Sequence, residues 1–362
     1  MPMQSFKHTL SNNGTVTGIY SVPLLSMSAA PRPLVVGLHG GCYDSQYFDA
    51  TPDHSAASMS MALDVPFVSI DRPSYGGTSS VIPIPEDSDF NQETGIWLHQ
   101  YILPKLWLEY GIPNSCNSIV LLSHSLGVMG AIVVASLHAQ DKSPAYPLGG
   151  LIASGMGQTQ SPFMKNTPPS FEPVDENYAR FPIESKDSVM FKPNTVAPEI
   201  LDQTERLDSP VPIAEAALFP QSWLPVWKEK WAAQVIVPVM FSLVNDDPFF
   251  VVNKEEIEDC ANAFGSSVRV DTSIIRGAPH CVELSYWSKG CGCNELWTTS
   301  GNPTPFVQKS RIYFPGHGER RLTPYDHRRT FTQGTFVKAQ NVIAEVSVIH
   351  VPWGYGVQDI IS

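Results

Sequence analysis

The sequence predicts an α/β fold in which a mostly parallel sheet is covered by helices. Two observations predict it: six short aliphatic runs, each closed by a glycine-rich or polar turn, and helix-length segments that lie between them. Continuous apolar runs are typical of strands that are buried on both faces. The alternation of strand and helix favours parallel strands joined by right-handed crossovers.

The predicted elements follow one another over the first 280 residues. The strands, counted with the turns that close them, lie at 33–41, 65–77, 118–127, 148–157, 234–247 and 267–280. The helices lie at 53–64, 94–111, 127–140 and 254–265. Pro104 falls inside the second helix and is expected to kink it.

The most apolar stretch, residues 119–140, has the length of a membrane span, which needs about 20 mainly apolar residues. However, Ser123, His124 and Ser125 interrupt it, and Gly127 follows closely. A buried strand, a tight turn and a buried helix account for all of these features. We therefore expect no spanning helix here.

Composition and charge argue against several classes of protein. The formal net charge of −12 makes a general attraction to nucleic acid or anionic lipid unfavourable. The N-terminus has no apolar segment behind a positive start, so we expect no secretory signal. Six irregularly spaced cysteines do not resemble a disulfide framework. We expect a reduced, cytoplasmic protein with a small-molecule substrate; the oligomeric state stays open.

The turn after the third predicted strand, S-H-S-L-G at 123–127, is typical of a reactive serine. A serine between a strand and a helix, with small residues two before and two after it, can adopt a strained, exposed conformation. Ser125 has Ser123 and Gly127 at those positions. The usual pattern is G-x-S-x-G, so Ser123 is a departure, as is Val128 where a small residue is common.

Five motifs in order resemble those of the α/β-hydrolase superfamily. L-H-G-G-C-Y follows the first predicted strand, D-R-P-S-Y-G-G-T-S the second, and the serine turn the third. L-V-N-D-D-P-F ends the fifth strand, and G-A-P-H-C-V-E-L follows the sixth. The resemblance covers residues 14–290 and is to the general type found among fungal biosynthetic and detoxifying enzymes. It implies an α/β-hydrolase fold with a cap insertion and a Ser–Asp–His triad in that chain order.

The resemblance assigns roles to three residues. Ser125 would be the nucleophile, and His280 the base that takes its proton and later protonates the leaving group. Asp247 would orient His280 and stabilise its charged form. Asp246 is the neighbouring alternative. Counting three residues on from Val244, where the family has glycine, favours Asp247, and the proline after it agrees.

The resemblance also implies an oxyanion hole made by the backbone N–H groups of Gly41 and Leu126, with Cys42 as a substitute for Gly41. Cys42 is a candidate for the wall of the substrate pocket. His39 and His124 are candidates either for a structural role or for that wall, and neither is expected to transfer protons. A serine at the turn, in place of aspartate, argues against dehalogenase and epoxide-hydrolase chemistry. The expected reaction needs no metal or organic cofactor.

Residues 158–232 break the alternating pattern and are rich in proline, so we predict a cap inserted into the core. Trp223, Trp227 and Trp231 are spaced to share one helix face. We expect them to pack the cap onto the core. Trp223 and Trp227 are also candidates for lining an apolar substrate pocket.

The predicted core comprises residues 1–157 and 233–290, and residues 291–362 form a C-terminal extension of uncertain structure. This extension is rich in turn residues and carries seven Lys or Arg against five Asp or Glu. Its cysteines and histidines match no zinc spacing, so no metal site is expected.

Together these features predict a serine hydrolase that cleaves an ester, thioester or related acyl bond of a hydrophobic small molecule through an acyl-enzyme. One alternative uses the same triad for carbon–carbon bond cleavage, cyclisation or acyl transfer, because fold does not fix function. Another is a non-catalytic, ligand-binding relative, which predicts a spoiled triad. Product analysis distinguishes the first alternative from hydrolysis, and a serine-reactive probe distinguishes the second from an active enzyme.

Overall fold

A computed structural model describes residues 3–23 and 32–288, and its centre is an eight-stranded sheet. The strands are β1 (Gln4–Thr9), β2 (Thr15–Ser21), β3 (Arg32–Leu38), β4 (Phe67–Ile70), β5 (Cys116–His124), β6 (Leu148–Ser154), β7 (Val239–Val244) and β8 (Val270–Ile275). They lie in the order β1-β2-β4-β3-β5-β6-β7-β8. Neighbours from β4 to β8 are parallel, whereas β2 is antiparallel to both of its neighbours.

The six predicted strands are present as β3 to β8. β1 and β2 lie outside that prediction and form a hairpin at one edge, with Gln4 paired to Tyr20 and Thr9 to Thr15. Exposed and partly buried side chains alternate along β1. A strand with one solvated face carries no continuous apolar run, so the pattern that marks the buried strands is missing here.

In the described part of the chain outside residues 158–232, four helices of eight residues or more flank the sheet. They are α1 (Ala56–Leu63), α2 (Phe90–Trp97), α3 (Gly127–Gln140) and α4 (Lys254–Asn262). Along β5, Ile119 and Leu121 pack in a core with α3 and α4, whereas Val120 and Leu122 pack in a second core that includes α1. This two-residue alternation shows that β5 is buried on both faces.

The helical stretch predicted over 94–111 begins earlier, because the Asp89 side chain accepts backbone N–H groups of the first turn of α2. Wider π turns follow at Leu98–Ile102 and Trp107–Gly111, with Pro104 between them. Proline has no N–H to donate to the preceding turn, and wider turns are one way in which a helix accommodates it. The winding therefore changes on both sides of Pro104, and the predicted kink stays a prediction.

The segment 158–232 lies between β6 and β7, where the insertion is predicted, and is built from short pieces. Its helices are Pro162–Asn166, Ile183–Met190, Pro198–Leu201, Thr204–Leu207, Ile213–Ala216, Phe219–Ser222 and Trp227–Lys230. Its strands are Glu172–Pro173, Tyr178–Arg180 and Val211–Pro212, which form a three-stranded sheet. A separate hairpin pairs Asp49–Thr51 with His54–Ser55.

A buried ion pair fixes this segment to the core. Arg72, in the loop after β4, donates to both carboxylate oxygens of Glu215, and each side chain is only 1% exposed. The Tyr75 hydroxyl donates to the same carboxylate. Within the segment, buried Lys186 pairs with buried Asp208. Because a buried charge is costly without its partner, the Arg72–Glu215 contact ties this part of the segment to the loop after β4.

The predicted extension at 291–362 lies outside the described residues. Up to residue 288 the chain forms a short 3₁₀ helix at Val282–Leu284. Within the two described ranges, no helix has the length and apolar character needed to cross a membrane. The same ranges hold no cluster of three or more His, Cys, Asp or Glu arranged to bind a metal ion.

Candidate active site

Ser125 occupies the turn between β5 and α3 with a φ of +50°. This left-handed region is unusual for a residue with a side chain and is typical of strained functional positions. The backbone N–H of Ser125 donates to Ser154 O at 2.7 Å, which ties the turn to β6. The Ser123 hydroxyl donates to Ile152 O at 2.7 Å, so serine fits where glycine is usual.

Gly127, two residues after Ser125, has no room for a side chain. A Cβ there would lie 2.5 Å from His39 O and 2.7 Å from Leu38 O. Both neighbours are backbone atoms and cannot move aside cheaply. Val128 is completely buried at the next position, so the departure from a small residue is accommodated by core packing.

The structure brings the three predicted triad residues together. His280 Nε2 lies 3.0 Å from Ser125 Oγ, and His280 Nδ1 lies 2.8 Å from Asp247 Oδ2. The other Asp247 oxygen accepts the backbone N–H groups of Phe249 and Phe250 at 2.8 and 3.2 Å. A carboxylate that accepts Nδ1–H leaves Nε2 free to accept the serine proton. This is the geometry required of a nucleophile, a base and an orienting acid.

The neighbouring Asp246 points away from this arrangement. Its side chain is 68% exposed, and its Oδ2 accepts hydrogen bonds from Lys192 Nζ at 3.3 Å and Asn245 Nδ2 at 2.7 Å. Asp247, by contrast, is buried against His280. The geometry therefore favours Asp247 as the partner of the base.

His39 is buried and connects two loops. Its Nε2 accepts the Arg72 backbone N–H at 3.1 Å, and its Nδ1 lies 2.7 Å from Gly40 O. Burial, aided by the charge of Arg72, lowers the pKa of His39 to about 3. The ring stays neutral as a structural acceptor and is not among the residues that line the cavity beside Ser125, so of its two predicted roles the geometry favours the structural one.

His124 lies directly behind His280, with 4.9 Å between the ring centroids, and Tyr47 stacks on it at 5.3 Å. Burial, followed by the charge of His280, lowers the pKa of His124 well below its usual value. Gly155, with a φ of +74°, makes room for both rings, because a Cβ there would lie 2.9 Å from His124 Cε1 and 3.3 Å from His280 Cε1. His124 therefore packs against the His280 ring and is not among the residues that line the cavity beside Ser125.

A cavity of about 560 Å³, part of it open to solvent, is bordered by Ser125. Three methionines and five phenylalanines supply most of its lining. Among the described residues that line it, none has a charged side chain. Such a cavity suits an uncharged, apolar group.

The predicted oxyanion-hole residues, Gly41 and Leu126, border the cavity beside Ser125. They are adjacent, because a Cβ on Gly41 would lie 2.5 Å from Leu126 Cδ1. Cys42 also borders the cavity, and burial raises the pKa of its thiol to about 12. Cys42 is therefore an uncharged part of the wall, as expected of a pocket residue.

Trp223 and Trp227 do not border this cavity, which corrects the expectation that they line the substrate pocket. They belong to separate short helices or their ends, because Pro225 prevents one continuous helix. Their rings stack with centroids 6.1 Å apart, and Trp227 contacts Phe264 after α4. Both are 2% exposed, so they pack the segment onto the core.

Sequence reasoning missed three residues around the base. Phe249 packs edge-on against His280 with 4.6 Å between ring centroids. Glu283 and Tyr47 lie behind His124, where the Tyr47 hydroxyl donates to Glu283 Oε2 at 2.7 Å. The position of Glu283 three residues after His280 is a signal that sequence offers, whereas Tyr47 is remote in the chain.

A model of the alpha/beta hydrolase family matches residues 35–289. The chain belongs to the α/β hydrolase family. The eight-stranded, mostly parallel sheet agrees with this membership, so the predicted fold and the predicted family are confirmed. The broad prediction of a hydrolase of this superfamily is confirmed with them. No curated protein sequence matches the chain.

Solved structures share the fold of this α/β hydrolase at low sequence identity. A carboxyl esterase from Bacillus coagulans is 17% identical with a TM-score of 0.54, covering 82% of this chain and 97% of its own. A thioesterase domain from the curacin biosynthetic pathway is 12% identical with a TM-score of 0.51, covering 82% and 100%. At such identities the likeness shows the fold alone.

Proposed function

We propose that this α/β hydrolase is a serine hydrolase that cleaves an ester, thioester or related acyl bond of a hydrophobic small molecule. The observation that carries the proposal is the chain of contacts from Asp247 through His280 to Ser125 at the edge of an apolar cavity. A hydroxyl with a base at 3.0 Å, and an acid that orients that base, can form an acyl-enzyme.

In the proposed mechanism, Ser125 Oγ attacks the acyl carbonyl while His280 Nε2 takes its proton. Asp247 holds the Nδ1–H bond and stabilises the imidazolium that forms. The backbone N–H groups of Gly41 and Leu126 donate to the oxyanion of the tetrahedral intermediate. His280 then protonates the leaving alcohol or thiol, and a water molecule activated by the same base releases the acid.

The lining of the cavity supports an apolar acyl group as the bound part of the substrate. A charged acyl group would lose its hydration on entering the cavity and would find no charged side chain among the described lining residues to replace it, which is costly. The methionines Met156, Met164 and Met190 are flexible and adapt to irregular apolar shapes. We therefore expect medium-sized, uncharged acyl groups to be preferred over dicarboxylic or amino-acid esters.

The segment 158–232 acts as a cap in this proposal. Eight of the fifteen residues that line the cavity come from it, so its side chains select the substrate. The buried Arg72–Glu215 pair joins this cap to the core beside the site.

A fluorophosphonate probe tests the proposal, because it labels only an activated serine. We expect labelling at Ser125, which mass spectrometry of the modified peptide identifies. Ser125→Ala should abolish the label, whereas Ser123→Ala, the matched control two residues earlier, should keep it. Folded wild-type protein that takes no label at Ser125 would contradict the proposal.

Product analysis then identifies the reaction. With p-nitrophenyl esters of increasing chain length, we expect the free acid as the product and faster turnover for medium chains than for acetate. An ester of an added alcohol as the main product would instead identify acyl transfer by the same triad.

A further inference from the structure

A carboxyl group that the proposed mechanism does not use lies behind the candidate triad. Glu283 Oε2 accepts the Tyr47 hydroxyl at 2.7 Å and lies 3.3 Å from His124 Nδ1. The Glu283 side chain is only 12% exposed, and its Oε1 has no hydrogen-bond partner among the described residues. A carboxyl placed in this way needs a reason, because its burial is costly.

We propose that Glu283 is a positioning residue that acts on His280 through His124, and that its carboxylate favours the charged form of the catalytic imidazole. This inference rests on the proposed function, since it gives the base of the same site a second, more distant acidic partner. In the same inference, the Tyr47 hydroxyl is the hydrogen-bond donor that holds the Glu283 carboxylate in place.

The orientation of His124 follows from its neighbours. Its Nδ1 faces Glu283 Oε2 at 3.3 Å and Ser154 Oγ at 3.4 Å, so Nδ1 carries the proton that a carboxylate accepts. The Nε2 atom is buried and has no hydrogen-bond partner within residues 3–23 and 32–288. Tyr47 stacks on His124 at 5.3 Å, and the two imidazoles are 4.9 Å apart, so the ring cannot turn freely.

Several titratable groups face Glu283, and one of them changes charge in the proposed reaction. From the packed elements these groups are Tyr47, His124, His280 and Cys281, with Asp53 and His54 across a second cavity that Glu283 also borders. Asp247 lies beyond His280 and also acts on His124. His280 is the group that gains and loses a proton in the proposed mechanism.

The electrostatic sign follows from the same contacts. Burial raises the pKa of Glu283, while the Tyr47 hydrogen bond and the charge of protonated His280 act to lower it. Because this attraction is mutual, an ionised Glu283 stabilises protonated His280 in return. Removing the carboxylate should therefore let His280 lose its proton at lower pH.

The pH dependence of fluorophosphonate labelling at Ser125 tests the inference without a known substrate. In Glu283→Gln, which keeps the side-chain size and an acceptor for Tyr47, the midpoint of the acidic limb should move down by about half a pH unit or more. Glu258→Gln removes the same charge from the exposed side of α4 and should leave the midpoint unchanged. A purely structural role would slow labelling without moving the midpoint.

Tyr47→Phe provides a second variant, and it carries the test if Glu283→Gln fails to fold. It keeps the ring that stacks on His124 and removes the donor to the carboxylate, so the midpoint should move in the same direction by a smaller amount. Superimposable limbs, or a shift to higher pH, would overturn the inference.

The two proposals fail in distinguishable ways. If wild-type protein is labelled at Ser125 but Glu283→Gln does not move the acidic limb of the labelling profile, the proposed function stands and the proposed role of Glu283 is wrong. If Ser125 takes no label, the proposed function fails. The His280 ring is then titrated by ¹⁵N NMR in wild type and Glu283→Gln, and an unchanged midpoint overturns the inference independently of any reaction.

Discussion

The proposed triad and the proposed cap are held in place by different kinds of contact, the triad by the backbone of the sheet and the cap by side chains. Ser125, Asp247 and His280 follow the ends of parallel strands, so the register of the sheet places them. The cap over 158–232 has helices of four to eight residues and strands of two or three, and a buried ion pair seats it. In the proposed function, catalysis therefore depends on backbone geometry, and substrate selection depends on side-chain packing. Substitutions in the two regions should have separable effects.

The largest effect is expected in the triad. Asp247→Asn should lower the rate of Ser125 labelling and of ester turnover by about 10³- to 10⁴-fold, because the amide no longer fixes the reactive tautomer of His280. Asp246→Asn is the matched control and should stay close to wild type, since Asp246 is exposed and bound to Lys192. A larger loss in Asp246→Asn would reverse the assignment.

The next effect is on stability and concerns the contact between cap and core. Glu215→Gln leaves the buried Arg72 charge without its partner, which should lower the free energy of unfolding by about 3–5 kcal/mol. Urea denaturation measures this change. Glu109→Gln removes one partner of the exposed Lys105–Glu109 pair and should cost less than about 0.5 kcal/mol. Equal costs for the two variants would show that the pair does not fix the cap.

A smaller effect is expected within the cap itself. Phe171→Ala enlarges the cavity, so the ratio of kcat/KM for long over short acyl esters should rise by about tenfold. Phe163→Ala, an exposed phenylalanine of the same cap, is the control and should leave the ratio unchanged. If turnover of every ester fell to the same degree, Phe171 would affect catalysis and not the choice of substrate. The two regions would then not have separable effects.

The smallest effect is a pH dependence of core stability. His39 has a pKa of about 3 when folded against 6.5 when unfolded, so the unfolded chain binds the proton first as pH falls. Stability is therefore full above about pH 6.5 and declines below it by about 1.4 kcal/mol per pH unit for this group. Asp44, with a pKa raised by burial to about 6, acts in the opposite sense.

The measurement therefore compares the slope of unfolding free energy against pH in wild type and in His39→Gln. The variant should have the shallower slope. Identical slopes would mean that His39 accepts a proton in the folded state as readily as in the unfolded chain.

Sequence could predict the positions of the triad because each residue sits in a short motif after a recognisable strand. Parallel strands bring their carboxyl ends to one edge, so Ser125, Asp247 and His280 are expected to meet. Counting within one loop separated Asp247 from Asp246. These inferences need only short motifs, or the parallel strand arrangement that buried apolar runs predict.

Sequence could predict that an insertion lies at 158–232 but not its internal structure, because long-range contacts decide that structure. The spacing of Trp223 and Trp227 indicates one helix face, yet Pro225 divides the segment and stacking on the core sets the rings. Arg72 and Glu215 are 143 residues apart, and no local pattern announces their contact. The Tyr47–Glu283 bond spans 236 residues.

Gly155 is a position at which the proposed activity can be lost while the architecture stays. The absence of a single methyl group there lets two aromatic rings share the space behind Ser125. An alanine at this position would leave the serine, the sheet and the apolar cavity in place, but its methyl group would crowd His124 and, less closely, His280. Under the proposed function, one codon change would then turn a hydrolase into a protein that only binds the same molecule.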